Sequence, residues 1–102
     1  MDLRTYHPRT LARLDTACGD RLLPFVNAAY AEDLEVDLHL VRAGDAHDLI
    51  AYALRGEAIV REATWRLPPL TQLPERIATA VLQAYVDALL AGTARFRARH
   101  GF

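Results

Sequence analysis

The chain has 102 residues, of which 12 are basic and 13 acidic, and 52% are hydrophobic. That is the length of one domain spanning 1–102, able to bury a core without metals or disulfides, and its charge balance creates no global field favouring nucleic acid or an anionic membrane. Every basic residue is Arg, Ser is absent, and Cys18 is the single cysteine, which excludes a serine nucleophile, a Schiff-base lysine, a P-loop and a cysteine zinc cluster.

Residues 1–8 are polar and mixed, and His7-Pro8 reads as an extended lead-in. Leu11, Leu14 and Cys18 have helical spacing, with Thr10 as the N-cap and Gly19 at the C′ position. Asp20 is placed to cap a second helix that is established at Pro24 and carries Phe25, Ala28 and Ala29 to about residue 32. Residues 34–42, LEVDLHLVR, alternate apolar and polar side chains and predict a strand. Residues 58–67 predict another, rich in Ile, Val, Thr and Trp and ended by Pro68-Pro69.

The segment between these strands has two readings. Gly44-Asp45 and Gly56-Glu57 can be hairpin turns with a strand at 48–55, or Asp45 can open a short helix that Gly56 stops. The turns lie about eleven residues apart, which is meander spacing. Thr71 to Arg99 reads as one long helix, with Pro74 in its first turn. Ile77, Val81, Tyr85, Leu89 and Phe96 form its stripe; Ala78, Leu82, Val86 and Leu90 widen it, and Gly92 is a weak point. The expected class is α+β: two short N-terminal helices, a small three-stranded antiparallel sheet and a long C-terminal helix packed on it. The alternative is a βαβ unit with a short crossover helix.

A turn at Gly44-Asp45 sets a register. Asp37 and His39 share one face with Asp48, while His47 stands opposite Arg42 on the other. These four potential ligands therefore do not converge, and no HExxH pattern is present, so neither a metal nor any other cofactor is expected. The acidic group Glu32, Asp33, Glu35 and Asp37 straddles a helix end and a strand. Carboxylates are unfavourable at a helix C-terminus, which calls for a cation nearby; Arg42, Arg61 and Arg66 are the candidates. Cys18, in line with Leu11 and Leu14 at a helix end, reads as a buried, inert thiol.

The same register gives the sheet two unlike faces. Val36, Leu38, Leu40, Leu49, Ala51 and Ala53 suit close packing beneath the long helix. The other face holds Glu35, Asp37, His39, Ile50, Tyr52 and Leu54. Depending on the second turn, Ile59, Ala63 and Trp65 join it. Ile50, Tyr52, Ile59 and Trp65 with Arg61 at the rim have the composition of an interface: apolar centre, polar edge, and the residue types that act as anchors. The opposing expectation is that the N-terminal helices cover this face as ordinary core.

The leading functional expectation is a non-enzymatic protein-interaction module that self-associates as a homodimer through this face. A second is nucleic-acid association through Arg95, Arg97 and Arg99 around Phe96. A third is a small-molecule or metal-binding domain. Nothing in the residues marks an enzyme. One thiol, a start without a signal-peptide core and the lack of a long apolar run lead to the expectation of a cytoplasmic protein with no membrane partner.

Overall fold

The structure is a computed structural model and describes residues 8–87. Two helices, α1 (Pro8–Ala17) and α2 (Leu22–Ala31), precede three strands, β1 (Glu35–Ala43), β2 (Ala46–Arg55) and β3 (Ala58–Leu67). A single 3₁₀ turn at Leu70–Gln72 leads into α3 (Glu75–Asp87). The strands form one antiparallel sheet in the order β1-β2-β3, the meander of the α+β reading. Residues 46–55 are strand, so the βαβ alternative and its crossover helix do not occur. The expected continuation of the last helix to Arg99, including Gly92 and the stripe residues Leu89, Leu90 and Phe96, lies outside the described residues.

Both N-terminal helices stop in the same way. Gly19 has φ +65° and Asp20 φ +62°. The Asp20 N–H donates to the Asp15 carbonyl at 2.9 Å and the Gly19 N–H to the Thr16 carbonyl at 3.1 Å, which is the Schellman arrangement with Gly19 at C′. At the end of α2, Leu34 N–H reaches the Ala29 carbonyl and Asp33 N–H the Tyr30 carbonyl, each at 3.0 Å. Here the left-handed C′ residue is Asp33, φ +58°, a residue type that tolerates this conformation with some strain.

Asp20 does not cap α2. That helix starts at Leu22, and Arg21 at its N-cap makes no side-chain cap bond. Pro24 lies in the first turn, where its missing N–H costs little. The cap comes from α1: Asp15 Oδ1 accepts the Leu23 N–H at 2.8 Å. Asp15 is only 8% exposed, so one buried carboxylate satisfies an otherwise orphan donor and faces the positive end of α2.

The β1–β2 register places Asp37 opposite Tyr52, Leu40 opposite Leu49 and Arg42 opposite His47, as the Gly44-Asp45 turn requires. Gly44 and Gly56 have φ +64° and +61°, the left-handed first position of the tight hairpin turn that matches strand twist. All three helices serve one face. Phe25 of α2 meets Trp65 of β3 edge to face at 5.9 Å, and Tyr85 of α3 meets His47 of β2 at 5.0 Å. Leu14 of α1, Val26 of α2 and Val81 of α3 join Val36, Leu38, Leu40, Leu49, Ala51 and Ala53 in one core. Each fully buried Leu or Val of this core contributes about 1.5–3 kcal/mol by leaving water. The stripe Ile77, Val81 and Tyr85 packs into it, but Leu82 and Val86 on its flank are 49% and 39% exposed.

The β2–β3 ladder is not regular. Leu54 pairs with Ile59, and the next pair is Ala53 with Arg61. Val60 is therefore an extra residue, a β-bulge. Beyond it, Ala51 faces Ala63, Leu49 faces Trp65 and His47 faces Leu67. Because side chains alternate with a period of two, one extra residue moves everything after it to the other face. The bulge is what brings Trp65 and Leu67 under the helices.

Candidate functional site

The five residues of the expected interface are parted by that bulge. Trp65 and Arg61 lie on the helix-covered face, paired with Leu49 and Ala53, while Ile50, Tyr52 and Ile59 lie on the other. Trp65 is half-buried against Phe25. Tyr52 is 2% exposed, with its ring 5.6 Å from His39; burial, and then Glu62, push its hydroxyl above the usual tyrosine range. Leu14 of α1 and Val26 of α2 pack in the core on the first face, yet Asp37, His39 and Leu54 on the second face are buried as Tyr52 is. Arg95, Arg97 and Arg99 lie outside the described residues.

The strand itself is the more open feature. β3 is an edge strand, and described residues pair with it only through β2. It is exposed continuously from Ala58 to Glu62 and again at Thr64 and Arg66. Ile59 and Val60 are 39% and 43% exposed. The other edge, β1, is buried from Val36 to Leu40.

The charged residues fall as the register implies. Arg61 forms an ion pair with Glu32, supplying the cation that the end of α2 calls for. Arg66 grips Asp48 across the strands, its Nη2 donating to Oδ2 at 3.2 Å in addition to a closer Nε bond. The hydrogen bond from Arg66 holds the Asp48 carboxyl below its ordinary range. Asp37 and His39 share the outer face with Asp48, and His47 is on the inner face. Among the described residues no three His, Cys, Asp or Glu side chains are grouped to hold a metal ion. Cys18 is buried, and desolvation followed by Asp15 pushes its thiol up to about 12, so it is protonated and unreactive at neutral pH. Among the described residues no helix is long and apolar enough to cross a membrane.

One feature escaped the sequence reading. Beside the β1–β2 hairpin end is a cleft of ≈ 210 Å³ lined by Arg42, Asp45, His47, Leu70, Leu82 and Tyr85. His47 is 5% exposed, and its buried Nδ1 has no hydrogen-bond partner among the described residues. Burial first, and then the Arg42 guanidinium, hold its imidazole below the ordinary histidine range. Arg42 is steadied by its Nε bond to the Gly44 carbonyl at 3.2 Å. The Arg42–His47 pairing was legible from the turn; the arrival of Leu70, Leu82 and Tyr85 over it depends on where the last helix docks.

The chain matches no protein-family model, no curated protein and no solved structure.

Proposed function

We infer that this chain is a non-enzymatic interaction module that self-associates, and that it does so through β3. The observation that carries this reading is the exposed edge of a ten-residue strand. Such an edge presents unpaired backbone donors and acceptors, a template for another strand. The bulge at Val60 lies near its start and leaves Arg61 to Leu67 as a regular ladder segment.

A twofold axis is the commonest way for identical chains to meet, because one surface then serves both copies. Antiparallel pairing of β3 about Thr64 sets Thr64 against its counterpart. It also sets Glu62 opposite Arg66 of the second copy, twice by symmetry. All three side chains stand on the outer face, since their β2 partners Tyr52, Ile50 and Asp48 do. Opposite charges directly across antiparallel strands are favourable by about 0.2–1 kcal/mol relative to Ala–Ala, and like charges there are unfavourable.

Light scattering on the eluting protein tests this. A dimer is expected at about 100 μM, and Glu62→Arg, which sets Arg against Arg66 of the second copy, shifts it towards monomer with an unchanged circular dichroism spectrum. A wild-type monomer at that concentration refutes self-association. A fully dimeric Glu62→Arg variant refutes this use of the edge.

A further inference from the structure

The hairpin-end cleft has features of a built site. Its walls come from separate parts of the chain, the β1–β2 hairpin, the 3₁₀ turn and α3. His47 lines it and is more than nine-tenths buried; its sealed Nδ1 has no hydrogen-bond partner among the described residues. Burial and then Arg42 lower its affinity for a proton, so the imidazole adds no second cation beside Arg42 at neutral pH.

The rest of the lining defines the chemistry. Of the Arg42 guanidinium, only Nε has a hydrogen-bond acceptor among the described residues, the Gly44 carbonyl. The terminal guanidinium groups remain available, and their planar fork matches a carboxylate. Asp45 makes no hydrogen bond or ion pair among the described residues and offers a complementary anion. The lining also includes Leu70, Leu82 and the half-buried Tyr85, an apolar wall of which Leu82 is 49% exposed. The volume, ≈ 210 Å³, is below the roughly 300–1,000 Å³ of pockets for drug-sized ligands and suits a small metabolite. A metal ion would meet the guanidinium, and a simple anion would leave both Asp45 and the apolar wall without a role.

We propose that this cleft binds a free α-amino acid with an apolar side chain. Arg42 takes the carboxylate, Asp45 takes the ammonium group, and His47, Leu70, Leu82 and Tyr85 enclose the side chain. The site is independent of the β3 edge, so a failure of either reading leaves the other standing.

The test is calorimetric titration of the full chain at neutral pH with L-leucine and L-phenylalanine. Glycine, N-acetyl-L-leucine and L-leucinamide serve as probes lacking the side chain, the ammonium charge and the carboxylate. One or both amino acids bind, and each of the three analogues is weaker by about tenfold or more, because each leaves one desolvated group of the site unmatched. Arg42→Gln and Asp45→Asn, both at exposed positions, lower the affinity by about tenfold with an unchanged melting temperature. Absence of heat from both amino acids at millimolar concentration overturns the proposal. So does N-acetyl-L-leucine binding as tightly as L-leucine, or undiminished L-leucine binding by both variants.

Discussion

Deleting Val60 tests the bulge directly. The pairs Leu54–Ile59 and Ala53–Arg61 flank it, so removing Val60 joins them into an ordinary ladder and leaves every later side chain on its present face. The residue lost is 43% exposed, and the expected change in stability is within about 1 kcal/mol. Were the extra residue held in the turn instead, with the ladder regular through residue 60, the same deletion would send Trp65 and Leu67 to the opposite face. Leu67 is 1% exposed; expelling it costs about 1.5–3 kcal/mol, and Trp65 a similar amount, roughly 3–6 kcal/mol together. For a domain near this length, each kcal/mol moves the melting temperature by about 4–8 °C. The two outcomes are therefore a shift of a few degrees or one of at least about 12 °C. Trp65 is the single tryptophan of the chain, so its emission reports its surroundings without interference. Thermal melting by circular dichroism, read with tryptophan emission, makes the measurement. A large drop in melting temperature together with red-shifted emission refutes the assigned bulge.

Three other substitutions follow from the same geometry. Asp15→Ala leaves the Leu23 N–H without its 2.8 Å acceptor and should cost about 1–2 kcal/mol in urea unfolding, as lost caps do; Asp15→Asn recovers part of that. Asp33→Gly relieves a non-glycine residue at φ +58° and should raise the urea midpoint, with a net gain of about 0.5–1 kcal/mol after the extra freedom of the unfolded glycine. His47 titrates below its ordinary value of 6.5 in the fold, so the unfolded chain takes up the proton first. Its contribution to stability is complete above that value and falls as pH drops towards the lowered folded pKa. His47→Gln should flatten the loss of stability between neutral pH and about pH 5, measured by urea unfolding at each end; an unchanged slope refutes the assigned shift.

Much of this architecture is written locally. The alternation from Val36 to Leu40 and the Gly44-Asp45 turn together dictate a strand, a hairpin and its register. From that register follow the shared face of Asp37, His39 and Asp48 and the opposition of Arg42 and His47. Gly19 marks the end of α1 because few other residues occupy a left-handed C′ position without strain. Such features depend on neighbours a few residues apart, and their residue types reveal them. The bulge at Val60 has no such signature: β3 can run regularly or bulged at modest local cost, and the choice is made by which face the sheet can bury. With three helices packed on one side, the bulged ladder places Leu67 and Trp65 in that core, a gain of several kcal/mol that outweighs one interrupted pair. Tertiary packing likewise made Asp15, and not Asp20, the cap of α2. It also brought Leu70, Leu82 and Tyr85 over the Arg42–His47 pair, because only the docking of one element on another determines which distant side chains share a space.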